Sequence, residues 1–331
     1  MKTVITGGAG FIGSHLTEYL LKAGDSVTVL DDLSTGSLEN LKESWDHAAF
    51  TFLEGSILDR EAVRQVVSGS DRVFHLAAAV GVHLIVDHPL ESLRTNIHGT
   101  EVVLDACLEA GADLLLASTS EIYGKNTSDR LSEDADRILG SPLKSRWTYA
   151  AAKGIDEAFA HAYWREYGLQ VSIVRLFNTV GPRQTGRYGM VVPNLVGQAL
   201  RGEPLTVHGD GQQTRCFSYV GDVIPAIVRI AEEPATRGLA VNLGGLQEIS
   251  IIELAERTIK LLSSTSEITL VPYDQAYGTG YEDMRRRVPD NSLAGRLVHF
   301  KPTTTVDTII LRVAKAMLST APGEVHAGAI R

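Results

Sequence analysis

Lys2-Thr3-Val4-Ile5-Thr6-Gly7-Gly8-Ala9-Gly10-Phe11-Ile12-Gly13 joins a short apolar strand directly to a glycine ladder. The spacing of Gly7, Gly10 and Gly13 suits a backbone that turns sharply, passes close to a pyrophosphate and opens a helix whose first N–H groups face phosphate oxygens. Three glycines alone also make plain turns, so the neighbours decide. Ser14 to Gly24 reads as a helix with a glycine stop. Ser26-Val27-Thr28-Val29-Leu30 reads as a second strand ending in Asp31. That is about the ~20-residue offset of an acid that binds the adenosine ribose hydroxyl. An anion there repels a 2′-phosphate, which predicts NAD rather than NADP; the alternative is an acid that caps a turn.

The alternation continues along the chain. Glu61 to Gly69 has a helical pattern, Arg72 to Ala79 reads as a strand reaching a small-residue loop, and Leu93 to Gly111 as a long helix. Asp113-Leu114-Leu115-Leu116-Ala117 is continuously apolar, as strands of a parallel sheet covered on both faces are. Trp147 to Tyr167 predicts another long helix and Gln170 to Leu176 another strand. This βαβ succession predicts an α/β fold, a doubly wound parallel (Rossmann) sheet with ligands at the strand C-termini. After Phe177, Gly and Pro become frequent, which predicts a smaller, mixed C-terminal substrate-binding domain. The expected division is a dinucleotide-binding domain over 1–176, with a segment near 215–245 returning to it, and a second domain over 177–331. Ala240-Val241-Asn242-Leu243 is the candidate returning strand, and Ser319 to Arg331 reads as a frayed end.

With 331 residues, 44% of them hydrophobic, the chain can bury one large core or two interleaved ones. A net charge of −9 without a basic stripe argues against nucleic acid or an anionic membrane as partner. Cys107 and Cys216, the only cysteines, lie in no C-x-x-C, so neither a disulfide framework nor a metal site is implied. No apolar run reaches the ~18 residues of a membrane span, and the strand at residue 2 leaves no room for a signal peptide, so a cytoplasmic enzyme is expected.

Tyr149-Ala150-Ala151-Ala152-Lys153 puts a phenol and an ammonium on one face of the Trp147 helix. A free tyrosine, with a pKa near ~10, is a poor base at neutral pH, and a fixed cation beside it favours the phenolate. Ser118-Thr119-Ser120-Glu121 follows the buried strand, where hydroxyls face the ligand crevice and can hold a substrate hydroxyl; the alternative is loop capping. Glycine ladder, strand-end hydroxyls and Y-x-x-x-K in this order are far more specific together than any one of them.

On these residues the sequence resembles the extended short-chain dehydrogenase/reductase family, which acts on nucleotide sugars, from residue 1 to roughly 315. The resemblance implies bound NAD, Tyr149 as base, Lys153 on the nicotinamide ribose and Thr119 as hydroxyl partner. It implies cofactor contacts from Gly7, Gly10, Phe11, Ile12, Gly13, Asp31, Asp32, Ser56, Ile57, Leu76, Ala77, Ala78 and Asn96, besides Tyr149 and Lys153. Arg175-Leu176-Phe177-Asn178 and Gly181-Pro182-Arg183 resemble the start of a nucleoside-diphosphate site. Pro204 to Gly211 with Gln213-Thr214-Arg215 resembles its uracil and diphosphate segment. The substrate contacts so implied are Asn178, Arg183, Val192, Thr206, His208, Arg215 and Arg287. Departures are Ser56 where many relatives carry an adenine-binding Asp, His208 for the more usual Tyr, and Asp32 for Asn.

Ser120-Glu121 and the late segment Glu282 to Asp290 resemble UDP-glucuronate decarboxylases, the group that includes UDP-xylose synthases and enzymes releasing a 4-keto pentose. Tyr277 to Asp283 looks closest to the latter. The resemblance implies Thr119, Ser120, Glu121, Tyr149, Lys153 and Arg287 as catalytic residues, with UDP-glucuronate as substrate and UDP-4-keto-pentose or UDP-xylose as product. A C4 ketone makes the C5 carboxylate a β-keto acid; Arg287 could grip it bidentately while Glu121 raises its energy or moves a proton. The alternatives are a solvent-facing acid and a solvated basic run. Rival readings are a UDP-glucuronate or UDP-hexose 4-epimerase, a 4,6-dehydratase and a non-catalytic NAD(H) sensor. The two long helices are the surfaces through which this family pairs as a homodimer.

Overall fold

Leu114, Leu115 and Leu116 are each buried to 1% exposure or less, which requires cover on both faces of their strand. The computed structural model, which describes residues 1–81, 88–186, 189–277 and 282–320, supplies it. Strands β1 (Lys2–Thr6), β2 (Ser26–Asp31), β3 (Phe50–Glu54), β4 (Arg72–His75), β5 (Asp113–Thr119) and β6 (Val171–Leu176) are joined by Ala240–Leu243. The seven run parallel in the order Ala240–Leu243, β6, β5, β4, β1, β2, β3.

Successive side chains point to opposite faces of a strand, and two cores result. Ile5, Phe74 and Leu115 pack with the Phe11–Lys22 and Val220–Glu232 helices, through Leu16, Leu20, Val223 and Ile227. Val4, Val73, Leu114 and Leu116 pack under the Arg60–Val67, Pro89–Ala110 and Thr148–Tyr167 helices. The Rossmann sheet expected from the sequence is thus present, and chain from beyond residue 177 completes it. Ala240–Leu243 forms its edge, and Ala294, Val298 and Phe300, in and just after the Ser292–Val298 helix, join its core.

Several expected element boundaries shift by a few residues; the helix expected from Leu93 opens at Pro89. The first helix opens at Phe11, with Gly10 as its N-cap, because the glycine backbone itself makes the turn. The strand expected to reach a small-residue loop within Arg72–Ala79 ends at His75, and Leu76 to Ala79 form that loop.

The smaller region has its own core, with Leu195, Val196, Leu254, Ile309 and Ile310 at 0% exposure. Leu205–His208 pairs there with Ile268–Val271, and Thr214–Cys216 pairs with Glu248–Ser250 and with Arg286–Arg287. That last register sets Arg287 beside Arg215. Hydrogen bonds from Leu131 N–H to Val288 O (2.9 Å) and from Asp290 N–H to Leu131 O (3.0 Å) tie the same late segment to the chain following β5. Residues 278–281, within the expected Tyr277–Asp283 motif, and 321–331, most of the expected frayed end, lie outside the described residues. Among the described residues no helix is long and apolar enough to cross a membrane, and no cluster of His, Cys, Asp or Glu could hold a metal ion.

Candidate active site

The C-terminal ends of β1, β2, β4 and β5 open into one cleft of ≈ 1090 Å³, whose far wall comes from the smaller region. Gly7 leaves β1 with φ +74°, and a Cβ there would stand 2.6 Å from Ala77 N. A Cβ on Gly13 would overlap Gly7 O. The ladder, the first helix and the Leu76–Ala79 loop are therefore packed backbone to backbone, and the helix N-terminus, without a side-chain cap, faces the cleft. Gly7, Gly10, Phe11, Ile12, Gly13, Leu76, Ala77 and Ala78 all lie on its wall.

Asp31 lies there too, held by Ala9 N–H to Oδ2 and Leu33 N–H to Oδ1, both at 2.9 Å. Burial pushes its carboxyl up, the two N–H donors pull it down, and Asp32 adds to the rise. Asp32 lines the cleft with its own Oδ1 accepting from Ser34 N–H and Oγ. A side-chain-free cradle at a helix N-terminus with an oriented acid at the next strand end fits a dinucleotide with an unphosphorylated ribose. Three expected cofactor residues stand back from the wall. Ser56 turns away to accept Leu58 N–H at 3.3 Å, and Ile57 lines the cleft instead. Asn96 is 1% exposed and clamps the loop through Ala79 N–H (2.8 Å) and Ala79 O (3.2 Å). Lys153 is 2% exposed and ion-paired with Asp156 at 2.8 Å.

Tyr149 is on the wall, but its phenol stands above, not below, its ordinary pKa. Burial is the main cause, and the carboxylates of Glu121 and Asp156 push the same way. At the end of β4, His75 bonds Thr6 Oγ1 (2.7 Å) and Thr100 Oγ1 (3.1 Å); burial and the Lys153 charge lower its pKa to about 3.

Thr119 ends β5 and caps the next turn by accepting Glu121 N–H at 3.2 Å. That turn sets Ser120 and Glu121 on the wall. Arg287 Nη1 donates to Glu121 Oε1, and Arg146 Nη1 lies 2.6 Å from Oε2. Burial would raise the Glu121 carboxyl, but the two guanidinium charges outweigh it and hold the group far below the ordinary carboxylate range. Arg287 Nη2 also donates to Asn178 Oδ1 at 3.1 Å, and its Nε is buried without a hydrogen-bond partner.

Of the remaining expected substrate contacts, Val192, Thr206, His208 and Arg215 line the far wall. Arg215 donates to both oxygens of Asp283, at 3.0 and 2.9 Å. Among the described residues, Gln213 Oε1 is buried there without a hydrogen-bond partner. Arg183 lines the cleft, but its Nη2 is bonded to Glu18 of the first helix. Arg175, at the start of the same expected segment, turns inward to Glu157 (2.7 Å). The sequence reading missed Arg146, Asp156 and Asp283. Asp156 had a signal, its i,i+3 spacing from Lys153; the partners of Arg146 and Asp283 are too far along the chain for any local pattern.

The model of the NAD dependent epimerase/dehydratase family matches residues 3–244. A UDP-N-acetyl-alpha-D-glucosaminuronate decarboxylase of Bacillus cytotoxicus is 40% identical over 305 residues, covering 92% of this chain and 94% of that protein. UDP-glucuronic acid decarboxylase 1 of Xenopus tropicalis is 36% identical over 92% of this chain and 69% of its own length. The structure of a UDP-glucuronic acid 4-epimerase from Bacillus cereus, in complex with UDP-glucuronic acid and NAD, superposes with a TM-score of 0.87 at 28% identity, covering 97% of this chain and 100% of that one.

Proposed function

This chain belongs to the NAD-dependent epimerase/dehydratase family, and on that premise we propose that it oxidises UDP-glucuronate at C4 and releases the C5 carboxyl as carbon dioxide, giving UDP-4-keto-pentose or UDP-xylose. One observation carries the reading: a carboxylate, Glu121, clamped by two guanidinium groups on the cleft wall beside Thr119 and Tyr149. The two relatives named as decarboxylases support it.

The glycine cradle, Asp31 and the Leu76–Ala78 loop would hold NAD, with Lys153 and Tyr149 at its nicotinamide end. When bound, NAD supplies the acceptor for the hydride leaving C4. Tyr149 takes the proton of the C4 hydroxyl, which Thr119 holds, and Lys153 supplies the cation that favours the phenolate. Once C4 is a ketone, the electron pair of the breaking C5–carboxyl bond passes to the ketone oxygen as an enolate. Arg287 orients the carboxylate for that departure, and Glu121, held as the anion, acts through water in proton transfer to C5.

The purified protein incubated with UDP-glucuronate and NAD should release carbon dioxide and give a pentose by NMR. UDP-N-acetylglucosaminuronate is the parallel substrate, since the relative at 40% identity is named for it. In Glu121→Gln and Arg287→Lys, NADH should still form, while carbon dioxide release falls by about 100-fold. A C4-inverted hexuronate with C6 retained would identify the 4-epimerase, which the Bacillus cereus likeness favours. Zero turnover with NAD bound would identify a sensor.

The side-by-side helices Pro89–Ala110 and Thr148–Tyr167 leave Leu90, Ile155 and Tyr167 exposed, which supports pairing into a homodimer; sedimentation of the intact protein tests that. The buried, unpaired Cys107 and Cys216 agree with a reducing, cytoplasmic setting.

A further inference from the structure

Arg175 lies in β6 behind the cleft, at 9% exposure, and no chemical step above uses it. Its guanidinium meets three separate parts of the framework. Nε and Nη2 donate to Glu157, at 3.0 and 2.7 Å. Nη1 donates to the Tyr123 hydroxyl at 2.9 Å and to Glu133 O at 2.7 Å.

The partners lead to different reacting groups. Glu157 belongs to the Thr148–Tyr167 helix, about two turns beyond Tyr149 and one beyond Lys153. Its Oε1 also accepts the Ser118 hydroxyl at 2.5 Å, and Ser118 immediately precedes Thr119 in β5. Tyr123 closes the Ser120–Tyr123 turn that carries Glu121. Its hydroxyl donates to Asn242 Oδ1 at 2.8 Å, and Asn242 Nδ2 donates to Leu131 O at 2.9 Å. Leu131 N–H bonds Val288 O, next to Arg287. None of Arg175, Glu157, Tyr123 and Asn242 lines the cleft.

Holding these elements together does not require an ion pair. Apolar side chains of the same volume do that without desolvating two charges. Hydrogen bonds from a planar fork add direction, because each donor fixes the distance and angle of one partner.

We propose that Arg175 is a positioning residue for both chemical steps: one buried guanidinium sets the helix of Tyr149 and Lys153, the strand end of Thr119 and the turn of Glu121 against one another. The inference rests on the UDP-hexuronate reading above and adds to it a residue that touches neither substrate nor cofactor. Through Glu157 and Ser118 the anchor serves hydride removal. Through Tyr123 it serves loss of the carboxylate.

The test is single-turnover kinetics of the intact, NAD-loaded protein with UDP-glucuronate. NADH absorbance and carbon dioxide release are both taken per bound NAD, so that unfolded material does not count. Tyr123→Phe keeps the ring under the Arg175 guanidinium, 5.2 Å from its centroid, and deletes only the hydroxyl. In it NADH should form within about twofold of the native rate and accumulate, while carbon dioxide release slows by about tenfold or more. Glu157→Gln should slow NADH formation by about tenfold or more, with UDP-glucuronate affinity within about twofold of native. Arg175→Lys, which keeps the charge without the fork, should slow both signals. Tyr123→Phe carries the test if the other two variants do not fold. Unchanged carbon dioxide release in Tyr123→Phe, or both signals falling together there, would overturn the proposal. So would a native rate of NADH formation in Glu157→Gln. A native protein that forms NADH but releases no carbon dioxide sinks the decarboxylase reading, and NADH formation in Glu157→Gln then decides the anchor.

Discussion

Asp156 holds the Lys153 ammonium at 2.8 Å in the interior of the protein, at 0% and 2% exposure respectively. The lysine expected to activate Tyr149 thus spends part of its field on a second carboxylate. Tyr149 feels burial first, then the negative charges of Glu121 and Asp156, and all three favour the neutral phenol. Nearby His75 contributes no positive charge near neutral pH, with its pKa at about 3.

Removing the Asp156 charge should therefore make Tyr149 a stronger acid. Asp156→Asn deletes an anion and leaves the Lys153 cation unshared, and both effects stabilise the phenolate. The acid limb of single-turnover NADH formation against pH should move to lower pH by about one unit. A limb that stays in place or moves upward would show that Asp156 does not act on the base.

Gly7→Ala should abolish stable NAD binding. At φ +74° an alanine bears about 1–2 kcal/mol of backbone strain, and its Cβ meets Ala77 N at 2.6 Å. Relief of that contact pushes the Leu76–Ala78 loop out of the cofactor wall. Nucleotide retained after gel filtration, with NAD titrated back, should fall by at least about tenfold relative to the native protein. Retention equal to native would mean that the cradle is looser than its geometry.

His75 makes stability depend on pH. Its folded pKa of about 3 lies below the ordinary 6.5, so its contribution is whole above 6.5 and is lost as pH falls toward 3. Between pH 7.5 and 5 that loss is about 2 kcal/mol. Urea unfolding at the two pH values should show it in the native protein and show it largely absent in His75→Gln. An equal pH dependence in both would place the titration elsewhere.

Much of the cofactor half was legible because its signals are local. Glycines at fixed spacing, an acid at the next strand end and a phenol four residues from an ammonium are set by backbone geometry within a few turns of chain. Leu114 to Leu116 announced a sheet covered on both faces by their composition alone. Arg183 lines the cleft, but its motif says nothing of Glu18, which lies 165 residues away and takes its guanidinium. Asn96 and Ser56 stand back from the wall, one clamping Ala79 and the other accepting within its own turn, contacts that no local motif announces.

By itself the chain's residue order determined the parallel sheet, the glycine turn into the first helix and the spacing of Tyr149 and Lys153 on one helix, because each follows from periodicity and short-range sterics. The sugar end was decided only in three dimensions. Glu121 and Arg287 stand 166 residues apart, and they meet because Arg286–Arg287 pairs beside Thr214–Cys216 and runs back past Leu131 to the end of β5. Which cation reaches which carboxylate in a buried cluster depends on strand order and burial, and neither is encoded in any one stretch of chain.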